Sequence, residues 1–192
     1  MKSAYKLENT ISKTIICLLV YLLILSISGI LKSNIIIDII PSELINSAKI
    51  SSYVSVIISS TISILIIGFM ICIVYFLNVI FALGINEKSL IVSFGNAIFV
   101  FILFEVIKFI FAYVMLEKDI RNITFSENLI ESIKQTSWFY YDNILKLLMI
   151  IMSSLVYIIT LKIKEIDTKH STMLFLLFTL LIGFYISTLE YS

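Results

Sequence analysis

Five long apolar runs constrain the fold of this chain more than any other feature. They cover residues 14–31, 54–84, 89–116, 143–161 and 172–189. Each run is close to or longer than the roughly 20 apolar residues with which an α-helix crosses the hydrocarbon core of a bilayer. With 60% hydrophobic residues and a mean hydropathy of +1.08, the chain is too apolar for a soluble domain. The sequence therefore predicts an all-α, polytopic membrane helix bundle with about five transmembrane helices, in a single membrane domain over residues 14–192.

The first apolar run follows a short basic segment that carries Lys2, Lys6 and Lys13. A positive flank before an apolar core also occurs in secretory signal peptides, but no Ala-x-Ala cleavage site follows this one. We therefore expect residues 1–13 to form a cytoplasmic N-terminal segment and residues 14–31 to be retained as the first transmembrane helix. The lysines of the short loops favour this orientation in a cell membrane. The heavy use of Ile and Lys suggests a bacterial source.

Polar segments separate the runs, and we expect them to lie outside the bilayer. Residues 32–53 form a polar interlude in which a helix should begin at Pro41, because proline suits the first turn of a helix. Residues 117–142 should hold one short interfacial helix, since Thr124 and Glu127 have the spacing of a capping box and an amphipathic pattern follows. The carboxylates of these segments are predicted to be solvated rather than to form a cation site: Asp38, Glu43, Asp119 and Asp142.

Two rows of small residues have the spacing of a helix-packing face. Each recurs at every fourth position of one predicted helix: Ser51, Ser55, Ser59 and Ser63 in the helix that runs into the second span, and Thr179, Gly183 and Ser187 in the last. Small side chains on one face of a membrane helix let a neighbouring backbone approach closely. The short turn at residues 85–88 further predicts that the second and third runs lie side by side.

An aromatic cluster precedes the fourth run. Trp138, Tyr140 and Tyr141 stand where this run should enter the bilayer, and aromatic rings with a polar tip are enriched at membrane interfaces. We expect these three residues to be interfacial anchors. The long side chain of Lys146, near the start of the run, should carry its ammonium group back to the same interface.

The third run differs from the others because Glu105 and Lys108 lie near its centre. Residues three apart lie on adjacent turns of one helix face, so the two side chains can form an intramembrane ion pair. Charges at membrane depth are costly and usually face protein or water. The pair has two interpretations: it fixes the rotation of the helix, or it serves as a functional group in a polar cavity. The structural interpretation is favoured, since the sequence indicates no second buried carboxylate in another run.

No constellation of residues typical of an enzyme occurs in the sequence. There is no glycine-rich phosphate loop and no Cys/His metal cluster, and His170 is the single histidine. Cys17 and Cys72 lie in apolar runs, where cysteine behaves as a small hydrophobic residue. The formal net charge of +1 gives no reason to expect nucleic acid as a partner. We therefore expect a protein without catalytic residues, metal or cofactor.

The arrangement of spans resembles the Yip (Ypt-interacting protein-like) family of small five-span membrane proteins over residues 54–189. The resemblance rests on three short patterns between the spans: the turn at 84–88 leading to Ser93 and Phe94, the stretch Phe-Tyr-Tyr-Asp-Asn-Ile at 139–144, and the lysine-bearing loop at 162–170. The Asp-Leu-Tyr-Gly-Pro-type signature and the long N-terminal region of the eukaryotic members are absent, so binding of Rab-type GTPases is not implied. The resemblance implies an accessory, non-catalytic role, which some bacterial members have beside ABC exporters.

These features predict a non-enzymatic integral membrane protein that acts by binding other membrane proteins. It would be an accessory or assembly subunit of a complex such as an ATP-driven exporter, or a homo-oligomer, in contact with membrane lipid. Two alternatives stay open. One is a small transporter or permease subunit that uses Glu105 as a titrating group. The other is an immunity protein against membrane-active peptides.

Overall fold

The regular elements of the described chain are all helices. The computed structural model describes residues 2–80, 85–121, 123, 129–164 and 177–184. In chain order, the elements are α1 (Lys2–Ile37), α2 (Ile45–Ile80), α3 (Glu87–Phe111), a π-helical turn (Ala112–Leu116), α4 (Glu117–Ile120), α5 (Leu129–Lys134) and α6 (Ser137–Lys164). The π-helical turn and α4 continue α3 without a break. Residues 177–184 form a further helical segment, α7.

Four helical stretches are long and apolar enough to cross a membrane: Asn9–Ile37, Ile45–Ile80, Glu87–Ile120 and Ser137–Leu161. The prediction of an all-α protein with several membrane-spanning helices is therefore confirmed. Most of the fifth predicted span, residues 172–189, lies outside the described residues, although its described part at 177–184 is helical. Of the interfacial helix predicted to begin near Thr124, the described part is α5; Thr124 itself lies outside the described residues.

The polar interlude predicted at residues 32–53 is much shorter than expected. α1 continues to Ile37, and α2 begins at Ile45 rather than at Pro41. α1 continues past its apolar run because Ile35 and Ile36, beyond the polar residues, pack against the hydrophobic cluster formed by Ala112, Leu116 and Ile120. Lys32 therefore lies within a membrane-spanning helix instead of a loop.

The fourth span also begins earlier than predicted. The Phe139 N–H donates to the Thr136 hydroxyl at 3.2 Å, which is the bond of an N-cap residue. The Trp138 N–H donates to the Asp119 carboxylate at 3.0 Å. These two acceptors satisfy backbone groups of the first turn, so α6 begins at Ser137 and carries Asp142 into the helix.

α3 lies at the centre of the bundle and packs against both α1 and α6. Its contacts with α1 run in parallel. Near the start of both helices, the Thr14 hydroxyl lies 3.4 Å from the Ile91 carbonyl oxygen. Farther along, the ring centroids of Tyr21 and Phe101 are 5.6 Å apart, and both side chains are almost completely buried.

The contacts of α3 with α6 run antiparallel. Phe111 meets Tyr141 with ring centroids 6.1 Å apart, and Phe94 meets Tyr157 at 5.9 Å. Phe178 of α7 stacks on Tyr157 with centroids 3.9 Å apart and meets Phe94 edge to face at 5.4 Å. This apolar aromatic cluster fills the core at the end of the bundle where α3 begins, and it joins α7 to α3 and α6.

α2 packs mainly against α1, so the expectation that the second and third spans lie side by side is wrong. One contact between them lies near their connection, where the Tyr75 hydroxyl donates to the Glu87 carboxylate at 3.0 Å. α1 and α2 form an antiparallel hairpin in which the hydroxyls of Ser26 and Ser60 are 2.8 Å apart. The connection to α3 limits the distance between the helix ends, but it does not require the two helices to pack along their length.

α1 and α2 approach each other closely at Gly29, where a Cβ would lie 3.0 Å from Cγ2 of Val56. Replacing Gly29 with leucine should therefore force the helices apart, and overpacking of this kind costs about 1–3 kcal/mol. We expect a lower midpoint of thermal unfolding in detergent. Gly68→Leu in α2 is the control, because it gains the same helix propensity and a Cβ there meets no atom within 4 Å. Equal midpoints for the two variants would contradict close packing of this hairpin.

Candidate functional site

A cavity of about 470 Å³ lies between α1, α2, α3 and α6, at the end of the bundle where α1 ends and α2 begins. Apolar side chains such as Leu25, Val56 and Met149 form part of its wall. The rest is polar, and it includes five charged side chains from three different helices: Lys32, Glu105, Lys108, Asp142 and Lys146.

Glu105 and Lys108 are in direct contact on α3. The Lys108 ammonium donates a hydrogen bond to Oε1 of Glu105 at 2.7 Å. Glu105 is 1% exposed and Lys108 is 6% exposed, so both charges are inside the bundle and line the cavity instead of facing lipid. The second oxygen of Glu105, Oε2, is buried and has no hydrogen-bond partner among the described residues.

A second ion pair, formed by buried Asp142 and partly buried Lys146, lines the cavity from α6. Asp142 is 5% exposed, and its Oδ2 lies 3.0 Å from the Lys146 ammonium nitrogen. The prediction that Asp142 is a solvated loop residue is therefore wrong, whereas the interfacial position predicted for the Lys146 ammonium group stays a prediction. Because α6 starts early, both residues lie within the helix, one turn apart on the same face, where their charges can pair. The pair is predictable from the sequence, because an acidic and a basic residue four positions apart lie on one face of a helix.

Lys32 of α1 is the third ammonium group of the cavity. Its nitrogen lies 4.0 Å from Oδ1 of Asp142 and 5.9 Å from the centroid of the Trp138 ring. The Lys108 nitrogen is also 4.0 Å from Oδ1 of Asp142. Asp142 therefore links α1, α3 and α6. The cluster contains three ammonium groups and two carboxylates, which leaves one positive charge in excess.

Several polar atoms of the cavity wall are buried but have no hydrogen-bond partner among the described residues. They are Oγ of Ser28 and of Ser52, the indole Nε1 of Trp138, and two carboxylate oxygens, Glu105 Oε2 and Asp142 Oδ1. Leaving a buried polar atom unpaired costs about 1–3 kcal/mol. The wall therefore offers both donors and acceptors to a molecule inside the cavity.

The serine row of α2 lies against α1 and the cavity. Ser63 is fully buried, and its hydroxyl donates to the Ser59 carbonyl oxygen at 2.7 Å. Ser59 and Ser55 line the cavity, while Ser51 is exposed at the beginning of the helix. Three of the four serines thus lie where α2 meets the rest of its own chain.

The other described residues of the predicted packing and interfacial sets do not line the cavity, apart from Trp138. Thr179 and Gly183 are half-buried in α7, and Ser187 lies outside the described residues. Tyr140 is 65% exposed and Tyr141 is 42% exposed, as side chains at a membrane interface would be. Trp138 instead turns inward, and its ring packs against the cluster of Ala112, Leu116 and Ile120.

Comparisons with known proteins identify no relative of this chain. No protein-family model matches it, and neither a curated protein nor a solved structure does so. The resemblance to the Yip family therefore stays a prediction from the sequence. Among the described residues, no group of three or more His, Cys, Asp or Glu side chains is placed to hold a metal ion.

Removing the Asp142 carboxylate should destabilise the protein strongly. Asp142→Asn leaves three ammonium groups facing one another with a single carboxylate between them, and breaking a buried pair in this way costs about 3–5 kcal/mol. We expect a much lower thermal midpoint in detergent and less protein in the membrane. Glu117→Gln is the control, since it breaks the exposed pair with Arg121 (2.6 Å), and such pairs contribute about 1 kcal/mol or less. Equal losses in the two variants would contradict the central place of Asp142.

Proposed function

We propose that the protein is a small membrane transporter or permease subunit whose substrate site is the charged cavity. The observation that carries this proposal is the cluster of five charged side chains around a cavity inside a bundle of membrane-spanning helices. Ionisable groups within membrane-spanning segments are rare, face the bundle interior or a water-filled cavity, and mark substrate or ion pathways.

The burial of Asp142 favours the functional interpretation of Glu105. The structural interpretation depended on the apparent lack of a second buried carboxylate in another span, and Asp142 is such a carboxylate. One ion pair is enough to fix the rotation of a helix. The cavity has two ion pairs and a further lysine, more charged groups than are needed to orient one helix. Its volume of about 470 Å³ is typical of a small-molecule site.

The cavity occupies one half of the bundle, which suits alternating access. In the half of the bundle that holds the cavity, the side chains of Lys32 and Lys146 are 21% and 18% exposed. On the other side, the aromatic cluster of Phe94, Tyr157 and Phe178 is packed and buried. A binding site accessible from one side and closed by packed side chains on the other is one end state of alternating access. With a cytoplasmic N-terminus, the cavity would lie in the outer half of the bilayer.

Charge-balanced removal of the Glu105–Lys108 pair tests this function. Glu105→Gln combined with Lys108→Met leaves neither charge buried alone, so we expect wild-type amounts of folded protein in the membrane. The full chain would be reconstituted in liposomes adsorbed on a solid-supported membrane. Currents would then be recorded on rapid addition of amino acids, carboxylates or phosphate at several pH values. We expect the double variant to lose the current that the wild-type protein gives.

The exposed pair on the continuation of the same helix supplies the matched control. Glu117→Gln with Arg121→Gln removes one acid and one base at a separation of 2.6 Å, but at the surface, and should leave the current unchanged. An unchanged current in the Glu105/Lys108 variant would show that the pair fixes the rotation of α3 and takes no part in transport. A wild-type protein that gives no current with any of these solutes would contradict the transport function itself.

The packing of α2 supports a second candidate function, that of an accessory subunit or homo-oligomer. α2 packs mainly against α1, and its large side chains on other faces are more than half exposed, as at Ile57, Leu65, Phe69 and Phe76. Lipid or another membrane protein would cover this apolar surface.

Cys72 is an exposed native probe on the same helix. If two copies meet through α2, mild oxidation of native membranes should give a disulfide-linked dimer that Cys72→Ser abolishes and Cys17→Ser does not. A chain that stays monomeric under oxidation and shows no change in mass with amine-reactive crosslinkers would contradict the accessory role.

A further inference from the structure

We propose that the cavity binds an anionic group, a phosphate or a carboxylate, at a site formed by Lys32, Ser28, Ser52 and Trp138. This inference rests on the proposed function, because it names the chemical class of substrate for the same cavity.

The charge balance of the cavity leaves Lys32 without its own carboxylate. Glu105 is neutralised by Lys108 at 2.7 Å, and Asp142 is neutralised by Lys146 at 3.0 Å. The Lys32 ammonium lies 4.0 Å from Oδ1 of Asp142, which is beyond hydrogen-bond distance. An uncompensated charge is costly in a medium of low dielectric constant. An anion beside Lys32 would therefore neutralise the cluster.

Unpaired hydrogen-bond donors from three helices line the same cavity as Lys32. Ser28 lies one turn before Lys32 on the same face of α1, is 2% exposed, and has an unpartnered hydroxyl. The hydroxyl of Ser52 on α2 and the indole N–H of Trp138 on α6 are also buried without a partner among the described residues. An indole N–H can only donate, so it requires an acceptor. Three neutral donors beside a surplus ammonium group are the chemistry of an anion site.

A simple cation fits this cavity poorly. The unpaired acceptors, Glu105 Oε2 and Asp142 Oδ1, belong to carboxylates whose charge is already balanced by lysines, and three ammonium groups would repel a cation. These two oxygens can instead accept from a hydroxyl or amine group of the molecule that carries the anion. A free hydroxy acid or amino acid and the headgroup of an anionic lipid share this chemistry.

Trp138 is the single tryptophan of the chain and lines the cavity, so its fluorescence reports occupancy directly. The full-length protein in an uncharged maltoside detergent would be titrated with sodium acetate, sodium phosphate and sodium chloride. In a second arm, the protein would be placed in nanodiscs of phosphatidylcholine with increasing phosphatidylglycerol. We expect a saturable change in Trp138 emission that Lys32→Gln weakens by about tenfold or more. Lys49→Gln, which removes the same charge from an exposed position of α2, should respond as the wild type does.

A second variant keeps the test decisive if Lys32→Gln does not accumulate. Ser28→Ala with Ser52→Ala removes two donors and no charge, and should also weaken binding by about tenfold or more. Saturation with free anions assigns the site to a soluble substrate, and saturation only with phosphatidylglycerol assigns it to a lipid headgroup; either supports the inference. A response that does not saturate, is absent in the wild type, or is unchanged in the variants overturns it. Anion binding without solute current would overturn the transport function alone, and current without anion binding would overturn this site alone.

Discussion

The rest of the bundle depends on the ion pairs that the Asp142 carboxylate forms with lysines of three helices. Its two oxygens lie within 4.0 Å of ammonium groups from α1, α3 and α6. Without a negative charge between them, Lys32, Lys108 and Lys146 would repel one another strongly in a medium of low dielectric constant. Apolar packing such as that of Tyr21 on Phe101 holds the helices together along their length, but the shared carboxylate fixes which faces meet at this end. Asp142 therefore both joins three helices of the bundle and contributes a charge to the cavity wall.

The sequence predicts the helices of this protein better than it predicts the cavity. Uninterrupted apolar runs are enough to locate α1, α2, α3 and α6, because a membrane-spanning helix satisfies its backbone internally. The position of Glu105 beside Lys108 follows from helix geometry alone. The cavity also needs Lys32 and Asp142. Hydropathy predicts both to lie in polar segments, because it sets the end of a span at the last apolar residue.

Long-range contacts decide the true boundaries. α6 starts at Ser137 partly because Asp119, which is distant in the sequence, accepts from the Trp138 N–H. α1 extends to Ile37 because its last isoleucines pack on Leu116 of the π-helical turn. The packing of α3 is equally non-local: it lies against α1 and α6 far more than against α2, which precedes it in the chain. Composition and hydropathy contain no information about these contacts.

Because α2 packs mainly against α1, it should move away from the cavity more easily than the three other helices that line it. α1, α3 and α6 are joined by aromatic contacts and by the charged cluster. At the cavity, α2 contributes no charged side chain, and it contacts α1 through a pair of serine hydroxyls and the close approach at Gly29, while its buried core residues Ile67, Met70 and Val74 lie farther along the helix. Local opening requires least free energy where buried contacts are fewest. α2 is therefore the element whose displacement would widen the cavity while the buried charges keep their partners.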